Sequence, residues 1–123
     1  MKIEKCLFPK NYDDCYDDRY REMTVIFVDK KEDYLYTDFV QLIRCRNAYW
    51  EIIGNEMGLD KPWKPNYETL VDNEYFTIHT FNNEIVKSGT SHRNAILAFP
   101  TEEIRDIFYE NFKGFIEKCK ELL

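Results

Sequence analysis

Glycine and proline are scarce in this chain: its 123 residues contain four of each. The glycines are too scattered for a phosphate-binding loop, and no Gly-x-Ser-x-Gly motif of a hydrolase is present. The longest wholly apolar run, residues 95–99, is too short to span a bilayer. No apolar signal segment opens the sequence, so we expect a cytoplasmic protein.

Positive charge is in the minority. Seventeen Lys and Arg face 23 Asp and Glu, which gives a formal net charge of −6. Arg44 and Arg46 are close in sequence, as are Lys61 and Lys64, but neither pair extends into a basic stripe. A surface of this kind repels phosphate backbones, so we expect no binding to duplex nucleic acid. We also expect no membrane partner.

Metal-ligand spacing is absent as well. The four cysteines show no Cys-x-x-Cys spacing and no neighbouring His, so we expect neither a metal nor a cofactor. Cys45 and Cys119 fall in predicted helices and are interpreted as small core residues. Aspartates cluster near the N-terminus in a paired spacing without glycine, which favours a solvated turn over a calcium loop: Asp13, Asp14, Asp17 and Asp18.

Large rings are plentiful. Aromatic residues make up 16% of the chain and hydrophobic residues 44%, which argues against disorder. A chain of this length can bury its own core, so we predict a single domain over residues 1–123.

A long amphipathic helix is predicted over residues 36–57. Apolar side chains recur at helical spacing, Thr37 or Asp38 can cap the start, and Gly58 suits the position just past the end. Arg46 interrupts the apolar stripe, and we expect its stem to lie along the core while its head reaches water.

The centre of the chain predicts an antiparallel meander. Its strands cover residues 74–81, 84–87 and 95–99, with Asn82-Asn83 as a two-residue turn and residues 88–94 as a polar loop. Residues 24–29 predict a buried strand, and residues 3–8 are compatible with a short one. His79 is expected to be a half-buried strand residue.

The last helix is predicted over residues 101–122, with Thr101 as its N-cap and a broad apolar face. Gly114 weakens it unless a close helix crossing requires that glycine. The predicted fold class is therefore α+β: a small antiparallel sheet of three to five strands packed against two long helices.

Several motifs carry a family resemblance. They are Trp63-Lys64-Pro65, Tyr75-Phe76, and the segment Leu-Ala-Phe-Pro-Thr-Glu-Glu-Ile-Arg-Asp-Ile-Phe that begins at Leu97. In this order, over roughly residues 36–123, the chain resembles a group of small uncharacterised proteins carried by phages, prophages and mobile elements of gut anaerobic bacteria. The resemblance implies a bacterial host cytoplasm or a virion, and no activity or catalytic residue.

The candidate binding residues are mostly aromatic. Trp50, Trp63 and Tyr67, together with Tyr75, form either core packing, a protein interface or a stacking platform for single-stranded bases. Trp63 lies between two prolines and two lysines, which suits an interface; alternatively it folds back as a lid over the sheet edge. His92 and Arg93, in the polar loop, complete the candidate set.

The function favoured by the sequence is a non-enzymatic, phage-derived protein that acts through a protein partner or as a homo-oligomer. No catalytic residue is assigned. The alternatives are a small enzyme or ligand-binding protein that uses the loop of residues 88–94, and a nucleic-acid accessory protein.

Overall fold

The computed structural model describes residues 3–15, 33–66, 75–88 and 96–123, and in residues 33–36 the backbone alone. The chain divides into two compact units, Met1–Trp63 and Lys64–Leu123. The strand predicted over residues 24–29 lies outside the described residues. One domain over residues 1–123 stays a prediction.

The first unit is helical where it is described. A 3₁₀ turn, Lys5–Leu7, is followed by a single helical turn, α1 (Tyr12–Cys15), and by the long helix α2 (Asp33–Glu56). The strand considered for residues 3–8 is wrong, because the amide of Phe8 bonds the carbonyl of Lys5 and closes a tight turn. That turn buries Ile3 and Phe8 at its two ends.

The structure confirms the long helix predicted over residues 36–57, but α2 begins earlier. Helical backbone begins at Asp33, so the predicted caps at Thr37 or Asp38 are wrong. Hydrophobic periodicity locates the buried face of a helix better than its first turn. The C-terminal end follows the prediction: Gly58 has a φ of 76° and donates to the Asn55 carbonyl at 3.1 Å. Leu59 donates to the Gly54 carbonyl at 2.9 Å, which completes a Schellman motif.

The buried face of α2 forms the core of this unit. Leu42, Cys45, Tyr49 and Ile53 are fully buried at helical spacing, which confirms Cys45 as a core residue. The ring of Phe8 stacks on that of Tyr49, with centroids 4.6 Å apart. The Tyr49 hydroxyl donates to the Pro9 carbonyl at 2.8 Å, so this buried polar group is satisfied.

The second unit contains an antiparallel sheet of β1 (Phe76–Phe81), β2 (Glu84–Ser88) and β3 (Leu97–Phe99). The Asn82-Asn83 turn is confirmed, with φ values of 52° and 63° that asparagine tolerates. The predicted meander order is wrong, because the spatial order is β2-β1-β3. The two-residue turn forces β2 beside β1, whereas the longer connection leaves β3 free to pair with the other edge of β1.

Helix α3 (Glu102–Lys118) packs against β1 and β3. Thr101 is its N-cap, as predicted: the hydroxyl accepts a bond from the amide of Ile104 at 3.2 Å. Phe108 is fully buried, with its ring centroid 5.0 Å from that of Phe99 and 4.9 Å from that of Phe112. The helix bends at Phe112 and ends four residues before the predicted end, where a 3₁₀ turn, Lys120–Leu122, follows. With three antiparallel strands and two long helices, the α+β class is confirmed.

Candidate functional site

Trp63 is buried against its own unit rather than displayed. Its backbone amide donates to the carbonyl of Trp50 at 3.0 Å, and the two indole rings meet edge to face with centroids 5.8 Å apart. Only 8% of Trp63 is exposed. The structure therefore brings two of the candidate binding residues together as packing on α2. This geometry fits the alternative in which the ring folds back, with the helix rather than a sheet edge beneath it.

Gly54 explains how the chain comes so close to α2. A Cβ at this position would lie 2.2 Å from the carbonyl oxygen of Lys61 and 2.8 Å from the amide nitrogen of Trp63. Only a residue without a side chain allows this approach. The Schellman motif turns the chain, and Gly54 lets the returning segment rest on the helix.

Arg46 completes this cluster. Its guanidinium carbon lies 4.0 Å from the centroid of a Trp50 ring, and its Nε and Nη2 donate to Oδ1 of the buried Asn47 at 3.1 and 2.7 Å. Arg46 is half-buried, and its head, which was expected to reach water, stacks instead on an aromatic face and bonds to a buried amide. These contacts join residues of the same helix, α2, so their role is structural.

Three candidate binding residues, Tyr67, His92 and Arg93, lie outside the described residues. His79 is a half-buried strand residue, as predicted, and its Nδ1 lies 3.2 Å from the hydroxyl oxygen of Thr77. Among the residues that the structure describes, no group of three or more His, Cys, Asp or Glu side chains could hold a metal ion. Asp13 and Asp14 are exposed on α1, whose first turn Asn11 caps through a bond to the Asp14 amide.

A buried arginine ties β2 to α3, which sequence reasoning missed. Nη1 of Arg105 donates to the carbonyl of Ser88 at 2.8 Å, while its Nη2 lies 3.1 Å from Asp106. The guanidinium also lies over the ring of Phe76, at 5.7 Å. Asp106 further pairs with Lys87 of β2 at 3.4 Å. The acidic neighbours of Arg105 in sequence were the signal that its charge is compensated.

The hairpin corner holds the most exposed large apolar side chain of the described residues. Phe81 ends β1 and is 67% exposed, although β1 is the central strand and its Thr77 and Ile78 are fully buried. Next to it, β2 is an edge strand whose only partner among the described strands is β1. We call Phe81 together with the outer side of β2 the β2 edge. Sequence reasoning placed Phe81 in a strand and overlooked its exposure.

Two thiols meet in the first unit. Cys15 of α1 and Cys45 of α2 are buried, and neither is in a disulfide. A hydrogen bond with Cys15, together with burial, raises the pKa of the Cys45 thiol far above its usual range. Cys45 is therefore protonated at neutral pH and is a poor nucleophile in the closed protein.

Comparisons with known proteins add no family to this picture. No protein-family model, no curated protein and no solved structure matches the chain. Within the described ranges, no helix combines the length and the apolar composition that crossing a membrane requires.

Proposed function

We propose that this chain is a non-enzymatic interaction protein that binds an extended segment of another protein along the β2 edge. The observation that carries the proposal is the combination of an edge strand with a largely exposed phenylalanine at its hairpin corner. An exposed strand edge can add a strand from a partner through main-chain hydrogen bonds. Aromatic side chains such as Phe81 serve as anchors in protein interfaces.

The register identifies the groups available for such pairing. Phe81 and Glu84 are opposite each other and close the two-residue turn. Such a closing pair is hydrogen-bonded, and bonding alternates along an antiparallel ladder. Val86 therefore bonds to β1, whereas the amides of Ile85 and Lys87 are directed away from β1. Two outward amides give the partner segment a short ladder to extend.

Charge favours a different protein over a second copy. The chain carries a formal net charge of −6, so pairing two copies brings two acidic molecules together, whereas a neutral or basic partner avoids that repulsion. Self-association is the competing outcome. A phage or mobile-element origin belongs to the proposal as well, and the segment that begins at Leu97 supports it by resemblance.

The test compares Lys87→Pro with Lys87→Ala. Both variants remove the ion pair with Asp106, but only proline removes the outward amide, a change that edge strands tolerate. Tagged proteins are used to capture partners from lysates of phage-carrying anaerobic bacteria, and mass spectrometry quantifies the proteins recovered. The expected result is one protein recovered by wild type and by Lys87→Ala, and lost with Lys87→Pro.

A second pair of variants keeps the test decisive if Lys87→Pro does not fold. Phe81→Ser removes the exposed ring of the β2 edge, and Leu7→Ser removes an apolar side chain that is 45% exposed elsewhere. Capture must fall with Phe81→Ser and persist with Leu7→Ser. Equal capture by both variants contradicts the proposal, as does a dimer of the chain alone in sedimentation that Lys87→Pro dissociates.

The other functions receive no specific support. The loop of residues 88–94, on which an enzyme or ligand-binding protein depends, is described only at Ser88, whose carbonyl accepts a bond from Arg105. The aromatic residues needed to stack single-stranded bases include Trp50 and Trp63, and both are buried.

A further inference from the structure

The packing of α1 on α2 brings two cysteines from distant parts of the sequence onto helices that touch each other. The two helices are in contact, and Nη1 of Arg44 donates to the Tyr12 hydroxyl at 2.9 Å. Cys15 lies one turn after Tyr12 on α1, and Cys45 follows Arg44 on α2. Cys15 is among the groups close enough to Cys45 to raise the pKa of its thiol.

We propose that Cys15 and Cys45 are a redox modification site, at which a low-molecular-mass disulfide of the glutathione class converts the two thiols into a reversible disulfide. Both side chains are buried, at 1% and 0% exposure, and both are free thiols. The remaining cysteines differ in setting: Cys6 is exposed, and Cys119 is buried at the end of α3. A bond between Cys15 and Cys45 would fasten α1 covalently to the long helix.

Thiol–disulfide exchange with the oxidant accounts for all atoms and electrons, and it needs no other reactant. Cys15 loses its proton, and its sulfur attacks one sulfur of glutathione disulfide and releases one glutathione thiolate. Cys45 then loses its proton, and its sulfur attacks the Cys15 sulfur of the mixed disulfide and releases the second glutathione. The two released thiolates take up the two protons, so the protein is oxidised by two electrons and glutathione disulfide is reduced to two thiols.

Access to the pair requires only a local opening. Helix α1 is four residues long, a single turn that Asn11 caps at its start. Short elements of this kind open at much lower free energy than the whole fold. In the closed state the thiols are shielded, so oxidation is expected to be slow, and the disulfide once formed holds α1 in place.

The test uses the folded full-length chain with Cys6→Ala, which removes the exposed thiol. The protein is incubated with glutathione disulfide, unfolded in the presence of an alkylating agent, and mapped by peptide mass spectrometry. The expected product has lost two hydrogen atoms, contains linked peptides from Cys15 and Cys45, and carries an alkyl group on Cys119. Dithiothreitol reverses it, and its melting temperature exceeds that of the reduced form.

Two further variants in the Cys6→Ala background act as controls. Cys119→Ala must still form the disulfide, whereas Cys45→Ala must not. Full alkylation of both Cys15 and Cys45 after prolonged incubation overturns the proposal and leaves the two as core thiols. A glutathione adduct on one of them that never resolves also overturns it. If Cys45→Ala does not fold, the peptide map of the Cys6→Ala protein still decides the question.

Discussion

Gly54→Ala and Gly114→Ala make the same chemical change in two helices, and the structure predicts opposite effects on the free energy of unfolding. At Gly114, on the exposed side of α3, an added Cβ meets no atom of the described residues within 4 Å. Within that part of the chain, no close crossing requires this glycine. Alanine in a helix interior is favoured over glycine by about 1 kcal/mol, so Gly114→Ala should stabilise its helix by about that amount.

At Gly54 the same gain in helix propensity is smaller than the cost of the clash that the new Cβ creates. The new Cβ would approach the carbonyl oxygen of Lys61 to 2.2 Å and the Cα of Pro62 to 2.9 Å, and both are backbone atoms that cannot rotate away. The segment must move, and overpacking of this kind costs about 1–3 kcal/mol. Movement also weakens the bond from the Trp63 amide to the Trp50 carbonyl, which is worth about 1 kcal/mol. After subtracting the helix-propensity gain, we expect a net loss of about 2 kcal/mol.

Urea unfolding at equilibrium measures both effects. The midpoint should rise for Gly114→Ala and fall for Gly54→Ala, with the slope of the transition unchanged in each. Gly114→Ala is the matched control, because it reports what the substitution does where there is room. A Gly54→Ala protein as stable as wild type would refute the close approach of residues 61–63 to α2.

Three further stability predictions follow from burial and capping, and each is measured by the same urea titration. Phe108→Ala should lose about 3–5 kcal/mol, because the ring is fully buried between two others; a loss below about 1 kcal/mol would mean that α3 does not use this face. Trp63→Ala should lower the free energy of unfolding by about 3 kcal/mol, since the ring packs on Trp50. An unchanged midpoint would mean that the ring of Trp63 is exposed and not buried. Thr101→Ala should lower the free energy of unfolding by about 1 kcal/mol, because it removes the acceptor for the Ile104 amide. Thr101→Ser keeps a hydroxyl acceptor and should retain most of that stability.

Features governed by local chemistry could be predicted from the sequence. The Asn82-Asn83 turn, the Gly58 helix end and the Thr101 cap each depend on a few neighbouring residues whose backbone preferences are strong. Periodicity also located part of the buried face of α2, including Leu42 and Ile53, but it did not indicate the full burial of Tyr49. The start of α2 could not be predicted, because the charged and aromatic residues before Thr37 fit either a turn or a first helical turn.

Features governed by distant contacts could not be predicted. The position of β3 beside β1 depends on which strand edge is free, and no residue near Leu97 encodes that choice. The residues around Trp63 have the composition of an interface. The ring is nevertheless buried, because Gly54 leaves space for the segment and the Trp63 amide donates a hydrogen bond to the Trp50 carbonyl. The exposure of Phe81 and the meeting of Cys15 with Cys45 likewise appear only once the elements are packed.

Hydrogen exchange at β2 tests the proposed interaction most directly. In the free protein, the amides of Ile85 and Lys87 should exchange faster than that of Val86, because they do not bond to β1. In the complex recovered by capture from bacterial lysate, exchange at Ile85 and Lys87 should slow markedly, since a partner strand now accepts both amides. Unchanged exchange at these two amides in a complex that protects another surface would contradict the account.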